Sequence, residues 1–161
     1  NYGIFIAYGI IFAREVSFYS SGFYLTMFAC GNIIMRPITG FIADKVQKWY
    51  LIAVTAYLFL ICGYVLFAMQ YLIAGAFIIG IGTGIEFTAV NSLVFKNTAK
   101  TDLNRISATM EIVRSIATAI GAGIIGAIFS FSLHTLFMFA AAMYIAQILI
   151  ICSARVSYRF N

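Results

Sequence analysis

The run YLIAGAFIIGIGTGIEFTAVNSLVF, from Tyr71 to Phe95, holds a single charge, Glu86, with uncharged residues on both sides. About 20 apolar residues in a helix cover the roughly 30 Å of hydrocarbon in a bilayer, so this run is long enough to span one. An ionised side chain at such depth costs at least about 2.5 kcal/mol, so Glu86 must face protein or trapped water rather than lipid. The next apolar run, from Ile106 to Phe129, holds two more charges of this kind, Glu111 and Arg114. These three groups are the first candidates for function.

The same pattern extends over the whole chain. Of its 161 residues 63% are hydrophobic, 17% aromatic and only 9% charged, with a mean hydropathy of +1.01. That leaves too little polar surface for a soluble domain, and the fold class expected is all-α, a polytopic membrane protein. A β-barrel would show stretches of roughly ten residues with alternating polarity, and none occur. Six helices are expected, at about 1–13, 20–42, 50–68, 71–95, 106–131 and 136–153, in a single membrane domain over 1–161. The first is too short to cross a bilayer and reads as half a helix. It starts Asn-Tyr-Gly with neither an initiator Met nor a basic region, so a cut end is expected rather than a signal peptide. Cys30, Cys62 and Cys152 lie scattered in apolar runs without CxxC spacing, which predicts small packing residues and no metal site.

Charge between the spans gives orientation. Lys45 and Lys48 follow span two, Lys96, Lys100 and Arg105 follow span four, and Arg155 and Arg159 follow span six. The opposite side has only Arg14 with Glu15, the Met69-Gln70 turn and the loop carrying His134. The positive-inside rule places the basic side, and with it the C-terminus, in the cytoplasm of a plasma or inner membrane. The net charge of +5 thus reports topology and calls for no nucleic-acid partner, which would need a clustered, water-facing basic patch.

Span two ends in Gly40-Phe41-Ile42-Ala43-Asp44-Lys45-Val46-Gln47-Lys48. This stretch resembles the loop signature G-x-x-x-D-[RK]-x-G-[RK]-[RK] of the major facilitator superfamily, with Gln47 in place of Gly and Trp49 in place of a second basic residue. Upstream, Arg36-Pro37-Ile38-Thr39-Gly40 is similar to the lead-in of that family's drug and metabolite exporters. The resemblance implies twelve spans in two six-span halves, each half built of two inverted three-helix repeats. Span four lacks the Arg, and span five the Gly-Pro pair, that mark the family's first half, so the chain resembles the C-terminal half bundle. It implies as partners a missing N-terminal half, the lipid bilayer, a small-molecule substrate and protons, and no cofactor. By the same resemblance, spans one, two, four and five line the cavity, while three and six lie outside.

For the signature residues Gly40, Asp44, Lys45 and Lys48 the resemblance implies a cytoplasmic loop gate that latches the closed state. The alternative is that Lys45 and Lys48 only hold the loop in the cytoplasm. Arg36 lies about two turns before Asp44 and shares a helix face with Asn32. It either snorkels to the nearby helix end or supports Asp44.

Ten residues separate Glu86 from Lys96 and nine separate Arg105 from Arg114, about 15 Å and about 13.5 Å at 1.5 Å per residue. The two groups lie at nearly equal depth on consecutive antiparallel spans, so they can pair if the faces meet. Glu111, three residues before Arg114, competes for it. A carboxylate that exchanges partners with an arginine can couple proton binding to a conformational change, whereas a fixed network would only hold the spans together. Gly80 with Gly84, and Ala122 with Gly126, are small-xxx-small pairs that permit close helix packing. Some of the many aromatics of spans one and two must be interfacial or lipid-facing, and if Tyr8, Tyr24 or Met27 faces a cavity the site suits an amphipathic or aromatic substrate.

A secondary transporter is therefore expected, with proton-coupled efflux of drug-like molecules or metabolites leading and a uniporter or a sugar or organic-anion carrier as alternatives. An oligomeric pore is disfavoured because no filter-like segment occurs. An enzyme is disfavoured because one His and scattered Cys offer no catalytic cluster.

Overall fold

A computed structural model describes residues 5–6, 8–12, 21–45, 49–96, 98, 101–128 and 133–158, with the backbone alone at 21, 49, 122, 124–128, 133–134, 152 and 154–158. The described residues form helices and short turns. Helix α1 is helical at 5–6 and 8–12. It is followed by α2 (Ser21–Lys45), α3 (Trp49–Ala68), α4 (Leu72–Lys96), α5 (Leu103–Ile128) and α6 (Leu133–Tyr158). The segments Gly22–Lys45, Tyr50–Ala68 and Leu72–Lys96 are each long and apolar enough to cross a membrane. Arg14, Glu15, Phe18, Tyr19, Lys48, Lys100 and Arg159 lie outside the described residues, as do the side chains of Ala122, Gly126, His134, Cys152 and Arg155.

A tight turn sets the relation of α3 to α4. Gln70 adopts a left-handed backbone (φ 70°), its N–H donates to the Phe67 carbonyl at 3.1 Å, and the Tyr71 N–H donates to the Leu66 carbonyl at 3.0 Å. This is a Schellman cap, which satisfies carbonyls left over at the end of α3 and reverses the chain within three residues. Helix α4 therefore returns antiparallel to α3 and parallel to α2, packing on both, while α6 packs on α3.

Glycine makes the α4 contacts close. A Cβ built on Gly80 would collide with the Phe28 carbonyl oxygen of α2, and one on Gly31 would collide with the Phe77 carbonyl oxygen of α4. On the other flank, a Cβ on Gly75 would come within 2.7 Å of the Phe67 backbone nitrogen of α3. Lipid tails are as apolar as the helices they surround, so association in a bilayer relies on such backbone proximity and the dispersion contacts it brings.

The larger core is aromatic. Phe5 and Phe12 of α1, Tyr24 and Phe28 of α2, Tyr64 and Phe67 of α3, and Phe137 and Tyr144 of α6 are all buried in it. Phe67 is central, with ring centroids 4.9 Å from Phe137 and 5.2 Å from Phe5. Four of the aromatics of α1 and α2, namely Phe5, Phe12, Tyr24 and Phe28, are thus core residues. Tyr8 packs against the same core, and Phe23 faces outward. Cys30 and Cys62, expected as packing residues, are instead exposed on the outer helix surfaces.

Helix α5 stands apart. Ile112, Val113, Ile116 and Ile120 are all more than half exposed, and no close packing seam joins it to another helix among the described residues.

Candidate functional site

Three helices bring polar side chains to one depth. Arg36 lies nine residues before the end of α2 at Lys45, and Glu86 lies ten before the end of α4 at Lys96. These are rises of about 13.5 and 15 Å, close to the middle of a bilayer. The two ends lie side by side, because the Lys96 ammonium donates to the Ala43 carbonyl at 2.8 Å. Helix α5 adds Glu111 and Arg114 across from α4.

Together these helices wall a cavity of about 500 Å³. Asn32 and Arg36 face it from α2, Glu86 and Phe87 from α4, and Glu111 and Arg114 from α5. Asn32 is almost fully buried, and its backbone also meets Gly80 and Gly84 at the α2–α4 crossing. Helix α6, expected outside, supplies Tyr144 and Gln147. It reaches the cavity by packing along α3, where Tyr144 lies 5.6 Å from Tyr57 and 5.8 Å from Tyr64 between ring centroids.

Arg114 pairs with Glu111 rather than with Glu86. Its Nη1 donates to Glu111 Oε1 at 2.6 Å, one turn away on the same helix. The pair forms locally because i,i+3 side chains on a helix are neighbours, whereas the stand-off of α5 keeps Glu86 out of ion-pair range. Glu86 makes no ion pair or hydrogen bond among the described residues.

Phe87 joins the two arginines. The guanidinium carbon of Arg114 lies 4.3 Å from its ring centroid, and that of Arg36 lies 4.5 Å from it. The negative face of an aromatic ring attracts a cation, most strongly where water is scarce. The support expected of Arg36 for Asp44 is therefore not observed. The Arg36 guanidinium lies on Phe87 rather than beside Asp44.

The signature residues sit at the far end of α2. Asp44 faces Lys96 of α4 at 3.7 Å, with both side chains largely exposed, and Lys45 lies over the Phe41 ring at 4.0 Å. Gly40 lies close to Thr88 of α4, where an added Cβ would make an ordinary contact at 3.9 Å.

Phe87, Thr83, Tyr144 and Gln147 line the cavity without having been singled out from the sequence. Gln147 carried a usable signal, as a lone amide in an otherwise apolar stretch of α6. Thr83 carried none, since its hydroxyl donates to the Ile79 carbonyl of its own helix at 2.6 Å.

A family model described as Major Facilitator Superfamily matches residues 1–158 of the chain. No curated protein and no solved structure matches it.

Proposed function

The chain belongs to the Major Facilitator Superfamily, a family of membrane transporters, and we propose that it is the half bundle that carries proton coupling in a secondary active transporter working by alternating access. The observation that carries this reading is Glu86, an acid without an ion-pair partner among the described residues, on the wall of a mid-depth cavity. Across that cavity is Arg114, already held by a second acid, Glu111. Arg114 has two acids to choose between, and the two pairings define two states. In one it holds Glu111 and leaves Glu86 to take a proton. In the other it turns to Glu86, which releases its proton to bind the cation. The transported solute is a drug-like molecule or metabolite, and the exporter-like Arg36-Pro37 lead-in supports efflux.

The basic end of the bundle, with Lys45, Lys96 and Arg105, lies in the cytoplasm by the positive-inside rule, and the C-terminus lies there too. Asp44 and Lys96 then form part of a cytoplasmic gate with Gly40, Lys45 and Lys48, closing against a second, N-terminal half.

Replacing Glu86 with Gln in the full-length protein tests the coupling. In vesicles with an imposed proton gradient, gradient-driven transport should be lost while gradient-free exchange of substrate persists. Undiminished coupling would remove Glu86 from the mechanism. A second reading, an organic-anion carrier of the same fold, is favoured by the two guanidinium groups gathered at Phe87.

A further inference from the structure

The cavity wall carries Arg36 and Arg114 against Glu86 and Glu111. Charge balance among these four is uneven in space. Glu111 is committed to Arg114 at 2.6 Å, while Arg36 has no carboxylate partner among the described residues. When Glu86 carries a proton, as the coupling reading above requires in one state, a single carboxylate faces two guanidinium groups. A net positive charge at mid-membrane depth is costly and calls for a compensating anion.

The geometry suits one. Both guanidinium carbons lie within 4.5 Å of the same ring centroid, so they are no farther apart than the sum of those two distances. An oxyanion that accepts from both guanidinium groups at about 2.8 Å bridges such a gap. The Phe87 ring holds both cations through its faces, and its electropositive edge tolerates an anion. Next to this head-group position the wall is apolar, with Phe87, Val90 and Ala117. Farther along, the side-chain oxygen of Gln147 is buried without a hydrogen-bond partner among the described residues. An unsatisfied buried acceptor of this kind matches a donor on a bound molecule.

We propose that Arg36 and Arg114 form an oxyanion subsite around Phe87, and that the solute carried through this cavity is an organic anion with a carboxylate or phosphate head and an apolar body. The proposal rests on the transporter reading and names the substrate class for it. Arg36 and Arg114 bind the head group, Phe87 positions both, and the approach of the anion competes with Glu111 for Arg114.

Equilibrium binding of benzoate to the full-length protein in detergent, followed by calorimetry without any gradient, tests the subsite. Benzamide, its neutral counterpart, and benzylammonium, its cationic one, serve as comparisons. Benzoate should bind at least about tenfold more tightly than either, the loss expected when one charge-assisted hydrogen-bonding group goes unused. Arg36→Gln should weaken benzoate by about tenfold or more, with Arg36→Lys keeping part of the affinity because it retains charge but not the planar fork. Arg36 is the cleaner position to alter, since Arg114 also holds Glu111, and thermal unfolding of each variant separates lost binding from lost fold. Equal binding of benzoate and benzamide, unchanged benzoate affinity in a folded Arg36→Gln protein, or no benzoate binding at all would overturn the proposal. Because no gradient is used, failure of benzoate to bind leaves the Glu86 coupling result standing, and intact coupling in Glu86→Gln leaves the anion result standing.

Discussion

Gly75, Gly80, Gly82 and Gly84 of α4 are buried against α2 and α3, whereas an added Cβ at Gly121 or Gly123 of α5 would meet nothing within 4 Å. Two consecutive helices thus carry glycine at similar density and use it in opposite ways. Within a bilayer no hydrophobic force drives helices together, so a glycine stabilises only where another backbone comes close enough to exploit the missing side chain. On α4 that condition is met on both flanks, and the helix becomes the axis on which α2 and α3 are fixed. On α5 it is not met among the described residues. There the link to α4 runs through long side chains, such as Arg114 on Phe87. The charges that face the cavity are accordingly split between a fixed helix, with Glu86, and a loosely held one, with Glu111 and Arg114. In the coupling mechanism proposed above, a partner exchange at Arg114 would call for movement of α5 rather than of the packed α2–α3–α4 unit.

Substitution at Gly80 is the severest way to challenge the α4 half of this contrast. Leucine there places its Cβ on the Phe28 carbonyl and within 3.1 Å of the Asn32 nitrogen, both rigid backbone, so α2 and α4 have to part. Overpacking of this kind costs about 1–3 kcal/mol even where side chains can yield, and a backbone clash belongs at or above the top of that range. Gly80→Leu should therefore lower the midpoint of denaturant-induced unfolding of the full-length protein in detergent markedly. A variant as stable as the parent would mean that α2 and α4 are not in backbone contact.

The opposite sign is expected on α5. Gly121→Ala and Gly123→Ala add a methyl group to open space and remove the entropic penalty of glycine in a helix, so each should stabilise by about 0.5–1 kcal/mol. The same unfolding assay reads both. A loss of more than about 1 kcal/mol would show that these glycines are pressed against another element of the full-length protein, and the contrast with α4 would collapse.

Sequence patterning reached the helices more surely than the contacts among them. Hydropathy marks a span well but its polar ends poorly. Helix α2 runs on through Ala43, Asp44 and Lys45, and α5 begins at Leu103 ahead of Arg105, because helical hydrogen bonding continues through charged residues once the chain reaches water. The grouping of Glu86, Glu111 and Arg114 was legible from depth alone, since rise per residue is fixed. Which acid holds Arg114 was not, because it depends on how far α5 stands from α4, and no residue type encodes that distance. Phe87 was invisible for a related reason. One phenylalanine among sixteen is marked only by the two cations that a folded chain brings to its ring.

The smallest effects concern the end of the α2–α4 seam, for which α5 has no counterpart among the described residues. The Asp44–Lys96 pair is 3.7 Å apart and solvent-exposed, with side chains 76% and 52% accessible, so it contributes about 1 kcal/mol at most and is screened by salt. Lys96 does more than pair, however. Its ammonium donates to the Ala43 carbonyl, one of the last four carbonyls of α2, which have no partner within their own helix. Asp44→Asn should consequently cost a few tenths of a kcal/mol that disappear at high salt. Lys96→Ala should cost more, and part of its cost should persist at high salt, because a short hydrogen bond to a carbonyl is screened less than an exposed ion pair. Unfolding midpoints of the two variants at low and high ionic strength measure the difference. Identical, fully salt-sensitive losses would reduce Lys96 to a surface charge and leave the fastening of α2 to α4 to the glycine contacts, the Arg36–Phe87 contact and the apolar packing between them.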